Sequence, residues 1–476
     1  MGNMDDLSPD APCGATAIVL PAGYGKTEYI ADYASQQSKK TLVLTHTNAG
    51  VYALRKRLGA KDVESGYHVT TIASWCESWV SSYPDLTQFE TFAASKEDDS
   101  GTYFKRLYET MLTLASKPWV KKTLRISYGC IMVDEYQDCT LTQHALFQEM
   151  AQFMHVTVLG DPLQGVFYWA KDDPIIDWRN LGFPILPYES KPWRWINAGS
   201  LELGEYIGEI RGELLPVLQG HDTSVTLDRG CADVTIVSPE YIARMQNWDG
   251  YGSIAYVTNK KHVQYAFSKQ HRRFQANEAV DNTDAKRICA LFDSSNGTAL
   301  ALATLSFAST CFTGINQGLK SYKARLERGN FDFGRMSKFP AVKNALLDIQ
   351  SEESYASVHA VLTAIKTDKA FRLHRGVLFH EVLRALRLAI RESVNATKAL
   401  DMIRAQGRSF EERSPYQFVS SRTVLSKGLE YDTAIVDAVN LTDARDFYVA
   451  ISRCKRKLII VSPTRTLSFH GIPKDV

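Results

Sequence analysis

The stretch "LPAGYGKTEYI", residues 20–30, joins an apolar run that is typical of a strand to a run with helical periodicity. Its glycines allow backbone amides to turn toward an anion, and the start of the following helix adds a positive field. The residues that we expect to bind phosphate groups are Gly23, Tyr24, Gly25, Lys26 and Thr27, with the Thr27 hydroxyl as a ligand of Mg²⁺. Leu20 stands where the general pattern has a glycine, so a purely structural turn remains the alternative interpretation.

Short apolar runs alternate with helical ones through the first 75 residues. The runs "AIVL" (17–20), "TLVLT" (41–45) and "CIMV" (130–133) are continuously apolar, which is typical of strands buried on both faces of a parallel sheet. Further runs of this kind lie at 69–74, 156–159, 253–258, 433–439 and 457–462. We therefore predict an α/β chain with two parallel sheets.

The segment "VDEYQD" (133–138) places three acids at the end of a predicted strand. Taken alone, it is best explained as a strand end with solvated acids. Paired with a phosphate loop, the first two acids gain a function. We predict that Asp134 holds Mg²⁺ through water and that Glu135 polarises the attacking water.

The composition is that of a folded protein with more than one domain: 476 residues, 45% hydrophobic and 23% charged. The net charge of only +2 means that any site for nucleic acid would be a local groove. The eight cysteines include no Cys-x-x-Cys pair, which disfavours a zinc site or a disulfide framework. Because the N-terminus is unlike a signal peptide and no apolar run is long enough to span a bilayer, we expect a cytoplasmic protein.

Five segments in a fixed order resemble the superfamily 1 helicases of the UvrD/Rep/PcrA type. They are the Gly-Lys-Thr loop at 20–30, "VDEYQD" at 133–138, "GDPLQGVFYW" at 160–169, "SKGLEYD" at 426–432 and "FYVAISRCKRKL" at 447–458. The resemblance implies an α/β fold with two RecA-like parallel-sheet P-loop NTPase domains in tandem, each with a mainly helical insertion. It also implies ATP and Mg²⁺ as cofactors.

The same resemblance, with the Pro- and Trp-rich stretch at 183–195 as a boundary, implies a division into four parts. The first RecA-like core domain is predicted at 1–79 and 129–190, with a helical insertion at 80–128. The second is predicted at 191–279 and 411–476, with a mainly helical insertion at 280–410. Both insertions are shorter than in typical family members, where they engage duplex DNA.

The resemblance also implies roles for four further residues around the nucleotide. Gln164 is expected to sense the γ-phosphate, while Arg194 and Arg453 stabilise the charge of the transition state. Glu430 is expected to contact the ribose. Since the segment around Arg194 matches its family motif poorly, a surface arginine is the alternative there.

Single-stranded DNA, or a duplex with a single-stranded tail, is the partner that the resemblance implies. The residues expected to contact it are Thr45, Thr47, Asn48, Thr71, Phe167, Trp169, Thr258 and Asn259. Phe167 and Trp169 would stack on bases, and the polar residues would contact the phosphodiester backbone without reading sequence. A buried core position is the alternative for Trp169.

The implied function is that of an ATP-dependent 3′-to-5′ DNA helicase or single-stranded DNA translocase, with DNA repair as one setting. No glutamine precedes Gln36, so the family's adenine-reading residue has no counterpart and nucleotide preference stays open. The alternative function is an ATPase regulatory subunit of a nuclease or antiviral-defence complex. Compact UvrD-like proteins of that kind exist, the helicase-like subunit of the Gabija system among them.

Overall fold

A computed structural model describes residues 13–61, 63, 66–93, 100–167, 172–278, 283–407 and 416–473. The chain forms two compact units. Unit 1 comprises Met1–Pro239 and Lys427–Val476, and unit 2 comprises Glu240–Ser426.

Unit 1 contains a parallel sheet of six strands in the order β3-β2-β4-β5-β1-β6. The strands are β1 (Gly14–Val19), β2 (Thr41–Thr45), β3 (Tyr67–Thr71), β4 (Cys130–Val133), β5 (His155–Gly160) and β6 (Ile185–Leu186). Strands β2, β4 and β5 are buried along their whole length, as their continuous apolar runs predict. Because the strands are parallel, their carboxyl ends lie at one edge, which is where the acids and the phosphate loop begin.

Helices cover both faces of this sheet. One face packs against Ile30 and Leu54, and the other against Trp75 and Phe147. The helices of the N-terminal part are α1 (Lys26–Ser35), α2 (Asn48–Leu58), α3 (Ile72–Ser81), α4 (Pro84–Thr87), α5 (Phe89–Ala93), α6 (Ser100–Ala115), α7 (Pro118–Ser127), α8 (Leu141–Ala151), α9 (Trp193–Ala198) and α10 (Leu201–Leu214).

A second set of parallel strands has three members in unit 1. They are β8 (Val234–Val237), β14 (Tyr431–Asp437) and β15 (Cys454–Val461), in the order β14-β15-β8. A separate antiparallel pair joins β7 (Thr223–Thr226) to β16 (Thr466–Phe469). Helix α22 (Ala444–Ile451) lies between β14 and β15 in the sequence and is buried along most of its length.

Unit 2 holds the other three parallel strands, in the order β10-β13-β9. They are β9 (Ile254–Thr258), β10 (Gln275–Ala276) and β13 (Phe418–Arg422), while β11 (Phe312–Thr313) pairs with β12 (Arg372–Leu373) in antiparallel fashion. Its helices are α11 (Pro239–Arg244, which begins at the unit boundary), α12 (Lys261–Gln270), α13 (Thr283–Ser294), α14 (Gly297–Cys311), α15 (Ile315–Gly318), α16 (Lys320–Leu326), α17 (Pro340–Ser351), α18 (Tyr355–Thr367), α19 (Gly376–Glu392), α20 (Ala396–Gly407) and α21 (Thr423–Ser426). Apolar side chains of α13, α14 and α17–α20 form its main core.

The predicted fold class is confirmed: the chain is α/β, with two sets of six parallel strands and the helix-rich character of tandem RecA-like domains. The division into two core domains and two insertions, with its boundaries, stays a prediction. Within the parts of the chain that the structure describes, no helix has the length and apolar character needed to cross a membrane.

Candidate nucleotide site

The phosphate loop is a tight turn between β1 and α1. Gly23 and Gly25 have φ angles of +75° and +88°, in the left-handed region that glycine adopts without strain. A β-carbon on Gly23 would lie 2.8 Å from the ring of Trp195, so this position also needs a residue without a side chain. The turn leads directly into α1 with Gly25 as its N-cap, which leaves the first amides of the helix available to an anion.

Two groups of this loop, the Lys26 side chain and the Ala22 backbone amide, already donate hydrogen bonds to protein oxygens. The Lys26 ammonium is 9% exposed and donates to the carbonyl of Leu20 at 3.2 Å, so it lies folded over its own loop. The amide of Ala22 donates to the hydroxyl of Tyr448 at 3.1 Å. Thr27 lies in the first turn of α1 and is partly exposed, as a ligand of a metal ion at the loop should be.

Asp134 and Glu135 follow β4 at the carboxyl edge of the sheet. The Asp134 amide donates to Leu44 O at 2.8 Å, and the Glu135 amide donates to Asp134 Oδ1 at 2.9 Å. Burial, together with the charge of Glu135, raises the pKa of Asp134. Burial has the same tendency at Glu135, but the positive charges of Lys26 and Lys427 outweigh it and lower the pKa of Glu135. Glu135 is therefore the carboxylate that stays ionised.

Gln137 links the acidic segment to the next strand end. Its Nε2 donates to Glu135 Oε2 at 2.5 Å, and its Oε1 accepts from the Asp161 amide at 3.0 Å. A β-carbon on Gly160 would lie 2.6 Å from this Oε1, which explains the glycine there. The amide thus fixes the direction of the Glu135 carboxylate.

The third acid of the segment, Asp138, forms an ion pair with Lys427. The Lys427 ammonium also donates to Gln164 O at 2.6 Å and lies 4.0 Å from Glu135 Oε2. Burial raises the pKa of Asp138 to about 6, against the opposing charge of Lys427. Sequence reasoning missed this role of Lys427. The three acids in the segment 133–138 were the signal from which a nearby cation could have been predicted.

Arg211 is a second residue that sequence reasoning missed. It binds Asp161 through Nη2 to Oδ1 at 2.9 Å and through Nε to Oδ2 at 3.3 Å. The Asp161 side chain is fully buried, and although burial opposes ionisation, Arg211 lowers its pKa. The side-chain amide of Gln164 donates to Asp161 Oδ2 at 3.2 Å, so the predicted γ-phosphate sensor is held on the same carboxylate.

Arg194, Glu430 and Arg453 come together beside the loop. The Arg194 amide donates to Gly23 O at 3.0 Å, and its guanidinium donates to Glu430 Oε1 from Nε at 3.0 Å and from Nη2 at 2.7 Å. A third bond joins Arg194 Nη1 to Ser452 O. Arg453 is 2% exposed and donates to Val449 O at 2.9 Å, and burial together with the charge of Arg194 lowers its pKa to about 10.

The predicted DNA contacts of unit 1 lie at neighbouring strand ends. Thr45 and Thr71 are partners in the register of β2 and β3, and both are buried. Thr47 and Asn48 are exposed, with Thr47 capping α2 by accepting from Gly50 N at 3.0 Å. Thr71 caps α3 in the same way, accepting from Ser74 N at 3.0 Å.

The remaining predicted contacts are less uniform. Phe167 is partly exposed, and the Lys427 ammonium lies 5.5 Å from the centre of its ring. In unit 2, Thr258 ends β9 and is buried, and Asn259 follows it on the surface. Trp169 lies outside the described residues.

The donors at this site fit a divalent metal ion that the protein and the nucleotide bind together. Among the residues that the structure describes, no group of three or more His, Cys, Asp or Glu side chains could hold a metal ion by itself. Thr27 and Asp134 nevertheless offer two hard oxygen donors, and Mg²⁺ usually combines one or two protein oxygens with water and substrate phosphates. Burial, together with the charge of Glu135, raises the pKa of Asp134, and a bound divalent cation would favour its ionised form.

A comparison with known protein families supports the resemblance to superfamily 1 helicases. Residues 95–176 match the UvrD/REP helicase N-terminal domain, a range that includes the acidic segment and the Asp161–Gln164 turn. No curated protein is significantly similar to the sequence. The structure of Pif1 helicase from Candida albicans aligns over 97% of this chain and 93% of its own length, with 9% identity and a TM-score of 0.36. Because that TM-score is low, the structural alignment carries no argument, and the resemblance to superfamily 1 helicases rests on the motifs and the side-chain geometry.

Proposed function

Starting from the confirmed resemblance to superfamily 1 UvrD-like helicases, we propose that this protein is an ATP-dependent DNA helicase or single-stranded DNA translocase that moves in the 3′-to-5′ direction. The observation that carries the proposal is the convergence of distant segments in unit 1. Lys26, Glu135, Arg194 and Arg453 come from four segments and influence one another through charge, and Gln164 joins them through Lys427, which bonds its carbonyl and lowers the pKa of Glu135. The family match favours this function over a purely regulatory ATPase subunit.

Hydrolysis of ATP follows from the groups around the loop. The amides of the loop bind the β- and γ-phosphates, and Lys26 exchanges its bond to Leu20 O for a phosphate oxygen. Thr27, and Asp134 through water, would hold Mg²⁺, which would supply positive charge to the phosphate oxygens. Glu135, kept ionised by Lys26 and Lys427 and directed by Gln137, orients the attacking water and accepts its proton.

The two arginines stabilise the charge that develops on the transferred phosphoryl group. Arg194 and Arg453 now donate to protein oxygens, Arg194 chiefly to Glu430 Oε1. In our proposal, nucleotide binding makes them exchange these partners for phosphate oxygens, where their charge counts most. Glu430, freed from Arg194, can then accept a hydrogen bond from the ribose.

The base of the nucleotide would stack on an aromatic ring rather than hydrogen-bond to a side chain that distinguishes adenine from other bases. Trp193 is 46% exposed, and its ring lies against the loop, 3.1 Å from where a β-carbon on Gly25 would be. Aromatic stacking does not distinguish bases strongly. We therefore expect modest discrimination between ATP and other nucleoside triphosphates.

Lys427 connects the nucleotide side of unit 1 to the predicted DNA side. It contacts Asp138 and Gln164 O and lies over the ring of Phe167. A base that stacks on Phe167 therefore acts on the same ammonium that influences Glu135. This link offers a route by which DNA binding stimulates hydrolysis.

Two assays with the purified full chain test the proposal. The first compares ATP hydrolysis with and without single-stranded DNA, and we expect stimulation by DNA. The second compares unwinding of a duplex with a 3′ tail and one with a 5′ tail, and we expect activity only on the 3′-tailed substrate. Hydrolysis that ignores DNA, or unwinding from the 5′ tail, would contradict the proposal.

A further inference from the structure

Asp161 is the point at which three parts of the candidate site meet. Its side chain accepts from Gln164 Nε2 at 3.2 Å, and it bonds the hydroxyl of Tyr448, which in turn accepts from the Ala22 amide of the phosphate loop. Its backbone amide donates to Gln137 Oε1, and Gln137 holds Glu135. A displacement of Asp161 would therefore reach the loop, the γ-phosphate sensor and the carboxylate that orients water.

Arg211 fixes this carboxylate. It comes from α10, outside the segments that carry the motifs, and its two nitrogen atoms bind the two carboxylate oxygens of Asp161. The side chain of Arg211 is 13% exposed and that of Asp161 is 0% exposed. Because a buried bidentate pair has one geometry, it can hold a carboxylate in place more firmly than a single ammonium can.

We propose that Arg211 is a positioning residue for ATP hydrolysis, acting through Asp161 on Gln164 and on Gln137, which directs Glu135. This inference rests on the proposed function and deepens it. Arg211 itself need not touch the nucleotide. Its removal should impair turnover more than nucleotide binding, since the loop and Lys26 keep their own contacts.

A cavity beside Arg211 makes a direct test possible. It has a volume of about 640 Å³ and is lined by Arg211 together with Leu20, Pro21 and Tyr24 of the loop. In Arg211→Ala, a guanidinium ion added to the solution can enter through this space and bind Asp161 where the side chain was. A guanidinium ion should thus restore activity that the substitution removed.

The experiment measures kcat, KM for ATP and melting temperature for wild type, Arg211→Ala and Arg211→Lys. The control is Arg229→Ala, which removes an arginine whose partners, Glu209 and Glu213, lie on the same helix as Arg211. We expect kcat of Arg211→Ala to fall roughly 10- to 100-fold with KM changed less than about threefold, whereas Arg211→Lys keeps part of the activity. Millimolar guanidinium should raise kcat of Arg211→Ala several-fold, while equimolar sodium chloride should not.

A pH profile adds a measure that a merely structural role would not change. Arg211 lowers the pKa of Asp161, so its loss lets Asp161 take up a proton at higher pH. The acidic limb of the kcat profile should accordingly move to higher pH in Arg211→Ala, and by less in Arg211→Lys, which keeps a positive charge. Since Arg211→Ala leaves a buried carboxylate without its cation, Arg211→Lys serves if that variant does not fold.

The outcomes separate this inference from the proposed function. If wild type hydrolyses ATP and both Arg211 variants match it, the positioning role is wrong while the function stands. The role is also wrong if kcat falls only in step with lost folded protein, without guanidinium rescue and with no change in the acidic limb. A wild type that lacks ATP hydrolysis overturns both proposals.

Discussion

Lys427 and Asp138 form an ion pair inside unit 1, with side chains that are 10% and 4% exposed. The pair joins a segment near the end of the chain to the acidic segment after β4. It therefore neutralises one of the three acids whose presence at a buried strand end is costly. In the proposed mechanism, the other two acids hold the metal ion and orient the attacking water.

The first prediction concerns the energy of this pair. Lys427→Ala leaves Asp138 buried without its cation, and we expect the free energy of unfolding to fall by about 3–5 kcal/mol. The double variant, with Lys427→Ala and Asp138→Asn, leaves no buried charge of this pair without its partner. Its free energy of unfolding should therefore fall by at least about 1 kcal/mol less than the sum of the two single changes. Denaturant unfolding of all four proteins measures this. Arg465→Ala is the control: it breaks the exposed pair with Asp228 and should cost less than about 1 kcal/mol. Additive single effects would contradict the coupling.

The second prediction concerns pH. Burial raises the pKa of Asp138 to about 6, above its ordinary value, so the folded protein binds a proton more tightly than the unfolded chain does. The stability that this group contributes is full below about pH 4 and is lost as pH rises through about 6. Asp138→Asn removes this loss. The difference in free energy of unfolding between the variant and wild type should therefore shift in favour of the variant as pH rises from about 4.5 to about 7. Urea unfolding at several pH values tests this, and parallel stability curves would count against it.

The third prediction concerns Arg194. If its guanidinium stabilises the transition state, Arg194→Ala should lower kcat roughly 10²- to 10³-fold. Its present partner Glu430 is 46% exposed, so the melting temperature should change little. Arg229→Ala, which also breaks bonds to glutamates in unit 1, should keep normal kcat. Equal kcat in the two variants would show that Arg194 has no role in hydrolysis.

The fourth prediction separates DNA coupling from hydrolysis. Phe167→Ala should leave basal hydrolysis nearly intact, because the loop, the acids and the arginines are unchanged. Loss of stacking worth about 1–3 kcal/mol per base should weaken stimulation by single-stranded DNA. Trp169→Ala should behave the same way if Trp169 stacks, and should instead lower the melting temperature if it is a core residue. Basal and DNA-stimulated hydrolysis, with melting temperature, distinguish these cases. Full stimulation in folded Phe167→Ala would exclude the stacking role of Phe167.

Much of the first sheet follows from local sequence. The strand at Thr41–Thr45 has the bounds that the sequence predicts, because a continuous apolar run is a local signal. Strand β8 (Val234–Val237) was missed, since four residues with partial burial give little pattern. The motifs also singled out Lys26 and Glu135, and the charge of Lys26 lowers the pKa of Glu135 in the structure.

The residues that sequence reasoning missed act through tertiary partners. Arg211 belongs to no motif, and its importance comes only from the burial of Asp161 against it. Lys427 lies in the same motif as Glu430, and the sequence predicted a role only for Glu430. In the structure, Lys427 contacts Asp138 and Gln164. Such pairs join segments far apart in the chain, and no local periodicity records them.

The most direct test of the central claim is steady-state ATP hydrolysis by purified wild type and Glu135→Gln, each with and without single-stranded DNA. The substitution keeps the size of the side chain and removes the carboxylate that orients the attacking water. We expect DNA-stimulated hydrolysis in wild type and a loss of at least about 100-fold in Glu135→Gln under both conditions. Lys26→Ala should be equally inactive. Substantial DNA-stimulated hydrolysis by folded Glu135→Gln would contradict the account of the site.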